Sequence, residues 1–164
     1  MIIRSEAFED IDAIYQLTAE AFAPQAYSDG SEPEIINGLR NAAALRFSLV
    51  AEEEGVIVGH VALSPVVIGD ETGWCGLGPI AVAPKRQKQG IGSALMKRAL
   101  AELEGIDAQG CVLVGNPAYY QRFGFASNGV LTYGDVDPQY VQFVRMQGAE
   151  PAGEIIYHAA FGGA

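Results

Sequence analysis

The segment 79–95 constrains the fold of this chain most, because it holds a strand, a tight turn and a helix in succession. Its first residues, up to Val82, are mostly apolar and typical of a strand, and the residues from Ile91 onward recur at helical spacing. The turn between them contains Gly90 and Gly92, and glycine allows a backbone to fold tightly with its N–H groups exposed. The helix directs the positive end of its dipole at the same point, so the segment predicts a bound polyphosphate.

This segment is basic in an otherwise acidic chain, whose formal net charge is −10. No Asp or Glu lies between Glu71 and Glu102, whereas residues 1–71 carry thirteen acidic residues and three arginines. An acidic surface argues against general nucleic-acid binding, which requires a basic footprint. It is compatible with a cationic substrate near the N-terminal half, and more simply with a solvated surface. Half of the ten basic residues lie in the segment and the helix that follows it: Lys85, Arg86, Lys88, Lys97 and Arg98.

The length of 164 residues predicts one domain over 1–164, with a core over about 1–146 and a C-terminal strand over about 154–161. The sequence shows no basic cleavable leader and no apolar run long enough to cross a bilayer, so a cytoplasmic protein without a membrane partner is expected. Two cysteines, Cys75 and Cys111, form neither a disulfide framework nor a metal cluster. They are expected to be small buried residues on strands.

Hydrophobic periodicity predicts the order β-α-α-β-β-β-α-β-α-β-β. Ser31 and Glu34 have the spacing of a capping box at the start of the second helix. Residues 139–146 are interpreted only as a short amphipathic segment. This order favours a mixed sheet with helices on both faces rather than a regularly alternating doubly wound fold. The predicted strands are 1–4, 48–51, 56–63, 74–82, 111–114, 130–133 and 154–161; the predicted helices are roughly 9–23, 31–39, 91–105 and 116–125.

Two common phosphate-binding turns do not fit the glycine turn. A P-loop needs a lysine directly after its last glycine, but Gly92 is followed by Ser93 and an alanine. A dinucleotide-binding turn follows its strand at once and has a third glycine. In this chain Leu95 occupies the third glycine position, and a seven-residue basic link separates the strand from Gly90.

The turn resembles the coenzyme-binding signature of the GNAT acetyltransferase superfamily, Gln/Arg-x-x-Gly-x-Gly/Ala, because residues 87–92 match each specified position. Downstream, residues 116–125 resemble the second coenzyme-side motif of that family, in which a tyrosine stands four residues before Gly-Phe. The resemblance covers nearly the whole chain. It implies an α/β (α+β layered) fold with a mixed, mostly antiparallel central sheet of about seven strands, helices on both faces, and a splay between strands four and five.

The resemblance also implies how acetyl-CoA is held. Backbone N–H groups of the glycine turn bind the pyrophosphate, and the basic side chains beside it add electrostatic attraction. The pantetheine arm pairs with the backbone of strand four like an added strand, and an amide of that strand stabilises the oxyanion. No metal is expected. The coenzyme-binding residues that follow are Ile80, Ala81, Val82, Gln87, Lys88, Gln89, Gly90, Ile91, Gly92, Ser93, Asn116, Tyr119 and Phe123.

Tyr120 occupies the position where members of this family often carry the general acid. A phenol has a pKa near 10 and is protonated at neutral pH, so it can protonate the departing thiolate. The base is unassigned, because strand 74–82 contains no carboxylate and His60, alone on its strand, is more often a structural residue. No serine or cysteine has a recognisable paired base, so no acyl-enzyme is expected. Three acidic residues of the segment between the first two helices could recognise a cationic amine, although exposed loop charge is the simpler interpretation: Asp29, Glu32 and Glu34.

The sequence therefore predicts an acetyl-CoA-dependent N-acetyltransferase that acts directly on a primary amine of a small molecule or peptide. The alternative is a non-catalytic acyl-CoA-binding or sensing module of the same fold. A minor alternative is transfer of a longer acyl group, or transfer to a hydroxyl. A monomer or homodimer is expected, with an apolar C-terminal strand available for pairing at a sheet edge. The acceptor is not predicted, because a fold does not select among substrates.

Overall fold

In the computed structural model, which describes residues 1–162, eight strands and four α-helices are present. Short 3-10 turns connect several of them, among them Pro84–Arg86 before the third helix and Gln121–Phe123 after the fourth. The helices are α1 (Ile11–Phe22), α2 (Glu32–Asn41), α3 (Ile91–Gly105) and α4 (Pro117–Tyr120). The strands are β1 (Ile2–Ser5), β2 (Phe47–Glu53), β3 (Val56–Ile68), β4 (Glu71–Val82), β5 (Gly110–Val114), β6 (Leu131–Thr132), β7 (Val141–Arg145) and β8 (Gly153–Ile156).

The strands form a mixed sheet in the order β1-β2-β3-β4-β5-β7, with β8 paired to the end of β3 and β6 paired to β8. Neighbouring strands are antiparallel except for the parallel pairs β4–β5 and β6–β8. This architecture confirms the predicted fold class. The strand count is eight rather than about seven, because part of the amphipathic segment 139–146 forms β7 and pairs with β5.

One face of the sheet is covered by α3. Side chains of α3 pack against alternate residues of β2, β3 and β4, together with both cysteines, which are free and buried as predicted. Burial raises the pKa of the Cys75 thiol to about 11 and that of the Cys111 thiol well above its ordinary value, so both are protonated at neutral pH. The buried members of this layer include Leu49, Val61, Leu63, Leu77, Leu95, Met96, Ala99, Leu103 and Leu113.

Gly59 allows α3 to lie against β3. A Cβ atom at this position would lie 2.8 Å from Cγ2 of Ile91 and 2.9 Å from Cδ1 of Leu95, two side chains of α3. We expect Gly59→Ala to lower the free energy of unfolding by about 1–3 kcal/mol, since overpacking forces the helix or these side chains to move. Urea denaturation measures the change. Gly105→Ala, where a Cβ would meet nothing within 4 Å, is the matched control and is expected to leave stability unchanged or slightly higher.

The opposite face is covered by α1 and α2. Ile14 of α1 and Ile36 of α2 pack on Val50 and Ala62 of the sheet. The predicted capping box at the start of α2 is wrong, because the Ser31 side chain makes no capping hydrogen bond. The N-terminal turn of α2 is held instead by a bond from the Ser28 hydroxyl to the Glu32 carboxylate (2.6 Å) and by the proline at its second position.

The strands β4 and β5 separate after three paired positions, from Trp74 to Gly76. The next part of β4 contains a bulge, since Val61 and Leu63 of β3 pair with Ile80 and Leu77. Gly78 and Pro79, with a cis peptide bond between them, therefore lie opposite one residue of β3. Glycine and proline are typical of such an irregularity within a strand. The end of β4 thus keeps its pairing with β3 while its other edge faces an opening.

The C-terminal region lies over the face that α1 and α2 cover. Strand β8 is shorter than predicted and pairs within the chain with both β3 and β6, so it is not a free edge strand available to a second copy. The 3-10 turn Ala159–Phe161 then packs on α2, where a Cβ at Gly38 would lie 3.1 Å from that of Ala160. Within residues 1–162, none of the helices has both the length and the apolar composition needed to span a bilayer.

Candidate functional site

A cleft of about 580 Å³ lies where β4 leaves β5. Three parts of the chain form its walls: the end of β4, the basic turn with the start of α3, and α4 with the 3-10 turn that follows it. Ten of the fourteen residues predicted for the site line this cleft, together with two arginines. The lining residues are Ile80, Val82, Arg86, Gln87, Lys88, Gly90, Ile91, Gly92, Ser93, Tyr119, Tyr120 and Arg122.

The start of α3 presents free backbone donors to the cleft. The N-cap residue Gly90 has φ 87°, in the left-handed region that glycine adopts without strain. The first helical hydrogen bond runs from the Ala94 N–H to the Gly90 carbonyl at 3.0 Å, which leaves the N–H groups of Ile91, Gly92 and Ser93 without helical partners. No acidic residue stands in this first turn. The helix start is therefore suited to an anion.

Tyr119 connects the two halves of the cleft. Its hydroxyl oxygen would lie 3.2 Å from a Cβ placed on Gly92, so α4 reaches across to the first turn of α3. Its ring packs edge to face with those of Tyr120 (4.9 Å between centroids) and Phe123 (5.5 Å). The absence of a side chain at Gly92 therefore leaves room both for this hydroxyl and for a ligand at the amide groups.

Tyr120 is half-buried in the wall of the same cleft. Its ring lies over Gly115, where a Cβ would be 2.5 Å from its Cε2 atom, and contacts the ring of Phe125 with centroids 6.2 Å apart. Burial, together with smaller contributions from the nearby Tyr119 and Tyr27, raises the pKa of the Tyr120 phenol to about 12. At neutral pH the side chain is thus a protonated hydroxyl, which can donate a proton but cannot act as a base.

The three cations of the cleft differ in their partners. Arg86 forms an ion pair with Glu53 (2.6 Å) on the β2–β3 hairpin, and its Nε donates to Gln89. Lys88 and Arg122 form no ion pair with any residue of 1–162. The guanidinium of Arg122 lies 4.7 Å from the centroid of the Tyr119 ring, a cation–π contact. Arg122 was not among the site residues predicted from the sequence, although it lies inside the motif 116–125.

Four predicted site residues lie outside the lining of the cleft. The side chain of Ala81 faces α1, where it packs with Leu17 and Ala21. The other three contact neighbouring residues outside this lining. Gln89 bonds to Arg86, Asn116 caps α4 by accepting from the Ala118 N–H at 3.0 Å, and Phe123 packs on Tyr119. A contact between these four and a coenzyme remains a prediction.

The acidic residues considered for acceptor recognition bond to their own neighbours. Asp29 accepts from the Ser31 N–H, Glu32 from Ser28, and Glu34 from the Tyr15 hydroxyl at 2.8 Å. None of the three lines the cleft, and a role in acceptor recognition stays a prediction. In the described part of the chain, no group of three or more His, Cys, Asp or Glu side chains is arranged to hold a metal ion.

His60 lies away from the cleft in a buried polar chain. Its Nε2 is 2.7 Å from the Ser48 hydroxyl, a contact that the sequence did not predict. The Ser48 hydroxyl also contacts the carboxylate of Glu6, which is ion-paired with Arg40 at 2.8 Å. A hydroxyl has one hydrogen, and the carboxylate can only accept, so Ser48 donates to Glu6 and accepts from His60. His60 therefore does not activate Ser48 as a nucleophile.

This buried chain makes stability depend on pH. Desolvation lowers the pKa of His60 from 6.5 to about 4, so at pH 5 the unfolded chain binds a proton that the folded chain does not. The free energy of unfolding is expected to fall by about 2 kcal/mol between pH 7 and pH 5 through this residue. The pKa of Glu6 is lowered from 4.5, so the stability that this carboxylate contributes is lost only at more acidic pH. Denaturation at both pH values measures the effect, and a fall just as large in His60→Gln would contradict this origin.

The sequence and the fold of this chain are both similar to those of known proteins. The profile of the Acetyltransferase (GNAT) domain family matches residues 45–127. The chain is 35% identical over 127 residues to the uncharacterized N-acetyltransferase YhbS of Escherichia coli K12, a match that covers 76% of this chain and 73% of YhbS. Its fold is similar to a crystal structure of a GNAT family acetyltransferase from Brucella melitensis in complex with acetyl-CoA, with a TM-score of 0.88, 46% identity, and 98% and 97% of the two chains covered. It is also similar to the crystal structure of E. coli YhbS in complex with CoA, with a TM-score of 0.88, 28% identity, and 98% and 91% covered.

Proposed function

Because the chain belongs to the GNAT acetyltransferase family, we propose that it transfers an acetyl group from acetyl-CoA directly to a primary amine of a small molecule or peptide. We propose further that residues 1–164 act as one such domain. The observation that carries the proposal is the cleft itself, which joins an amide-lined anion site to a protonated Tyr120. The similar proteins of B. melitensis and E. coli, crystallised with acetyl-CoA and CoA, support the choice of donor.

The two ends of the cleft suit the two ends of the coenzyme. The free N–H groups of Ile91, Gly92 and Ser93 bind the diphosphate, assisted by the charge of Lys88. The pantetheine arm enters the opening between β4 and β5 and hydrogen-bonds to the backbone of residues 80–82, whose pairing with β3 leaves one edge available. The thioester then lies close to Tyr120.

The chemistry requires one bond to form and one to break. The neutral amine attacks the thioester carbonyl, and a backbone N–H of β4 stabilises the resulting oxyanion. The tetrahedral intermediate collapses with loss of the coenzyme thiolate, which takes its proton from the Tyr120 hydroxyl. The cleft lining contains no carboxylate and no histidine, so the proton of the amine passes to water, and water returns a proton to the Tyr120 oxygen. The acetylated amine and free coenzyme A are the products.

A panel of amines and peptides mixed with acetyl-CoA tests the proposal, with the free thiol of coenzyme A followed over time. Thiol release that depends on an acceptor is the expected result. The alternative function is a non-catalytic acyl-CoA-binding or sensing module of the same fold. Saturable binding of acetyl-CoA without release for any acceptor would favour that module. A failure to bind acetyl-CoA at all would exclude both.

A further inference from the structure

The cleft holds a cation that the proposed binding of the diphosphate does not use. The amide groups at the start of α3 and Lys88 already stand together on one wall, where they serve the diphosphate. Arg122 stands on a different wall, on the 3-10 turn after α4, and it forms no ion pair with residues 1–162. An exposed arginine that lines a cleft without a carboxylate partner is free to bind an anion.

The ring of Tyr119 fixes the position of this cation. Its face lies 4.7 Å from the Arg122 guanidinium, and its hydroxyl reaches the first turn of α3 beside Gly92. Tyr119 is itself held edge to face by Tyr120 and Phe123. A guanidinium placed over a fixed ring loses less rotamer freedom when it binds a phosphate, which it can contact through two parallel hydrogen bonds.

Coenzyme A carries a third phosphate on the 3′ oxygen of its ribose, apart from the diphosphate. We propose that Arg122 is a specificity-determining residue that binds this 3′-phosphate and so lets the protein distinguish coenzyme A from its 3′-dephospho form. The inference rests on the proposed function. It assigns two walls of the cleft to different phosphates, with the amide turn and Lys88 on the diphosphate and Arg122 on the 3′-phosphate.

Isothermal titration of coenzyme A and of 3′-dephospho-coenzyme A tests this assignment in the wild type, Arg122→Gln and Lys88→Gln. The wild type is expected to bind coenzyme A about tenfold more tightly than the dephospho form, since charged hydrogen bonds are stronger than neutral ones. In Arg122→Gln that preference falls to near unity, with affinity for the dephospho form unchanged. Lys88→Gln weakens the binding of both ligands and keeps the preference.

Arg98→Gln is the matched control, because it removes the same charge from α3 outside the cleft, where Arg98 pairs with Glu102. It is expected to leave the preference intact. Equal weakening of both ligands in Arg122→Gln would overturn the inference, as would a wild type that does not distinguish them. If the wild type bound neither ligand, both the inference and the proposed function would fail. Binding of both ligands without a preference would overturn the inference alone, so the two failures are separable. Arg122 is exposed, and its replacement is expected to leave the thermal midpoint unchanged.

Discussion

Tyr120→Phe is expected to lower kcat about 100- to 1000-fold, the contribution typical of a positioned general acid. The substitution removes one oxygen atom and keeps the ring that packs on Gly115 and Phe125, so the fold and the affinity for acetyl-CoA are expected to change little. The wild-type rate is expected to show no loss from ionisation of this group up to about pH 10, because the pKa of Tyr120 is raised to about 12. Steady-state kinetics at saturating acetyl-CoA measures the effect.

Tyr119→Phe provides the matched control for this experiment. It removes the same atom from the neighbouring ring, whose hydroxyl points to the start of α3 rather than to the thioester end of the cleft. We expect kcat to change by less than about fivefold, whereas the loss of a general acid lowers kcat much more. A fall in kcat that is equal in the two variants, or larger in Tyr119→Phe, would remove the acid role from Tyr120.

Gly92→Glu is expected to weaken acetyl-CoA binding by about 100-fold or more. A carboxylate at this position enters the site of the diphosphate, and like charges about 4 Å apart repel by roughly 1–4 kcal/mol between bulk water and a protein surface. The same substitution favours the helix, because a negative charge in the first turn of α3 complements its dipole. Affinity and stability are therefore expected to change in opposite directions, which calorimetric titration and thermal denaturation can measure on one sample.

Gly92→Gln separates the effect of charge from that of size. Its side chain has the same length and crowds the Tyr119 hydroxyl to the same extent, since the added Cβ lies 3.2 Å from that oxygen in either case. We expect a loss of affinity of about tenfold or less, because the diphosphate then meets an amide rather than a like charge. Equal losses in the two variants would mean that the start of α3 does not bind an anion.

The strand, glycine turn and helix of segment 79–95 were predictable because their signals are local. The spacing of apolar residues fixed the helical face of α3, and the positions of Gly90 and Gly92 marked a turn with exposed amides. The same holds for the start of α4, where Asn116 and Pro117 give a side-chain cap and a proline at the first helical position. Most of the cleft lining follows from these two segments.

The features that the sequence did not reveal depend on pairing between distant residues. The five residues of β7 alternate weakly, and their strand character comes from pairing with β5, in which Gly110 lies opposite Arg145. The contact between Ser48 and His60 depends on the register of β2 and β3, which a bulge after Ala51 shifts. Arg122 lines the cleft only because the 3-10 turn after α4 places its guanidinium over the ring of Tyr119.

A single-turnover experiment with acetyl-CoA labelled in its acetyl group tests the central claim most directly. The protein, the labelled coenzyme and an acceptor identified in the amine panel are mixed, and mass spectrometry follows the label in the acceptor and in the protein. Direct transfer predicts that the label appears on the acceptor nitrogen in the same amount as coenzyme A is released, and that no labelled protein forms. Label that first appears on the protein, or thiol release without an acetylated acceptor, would contradict the account.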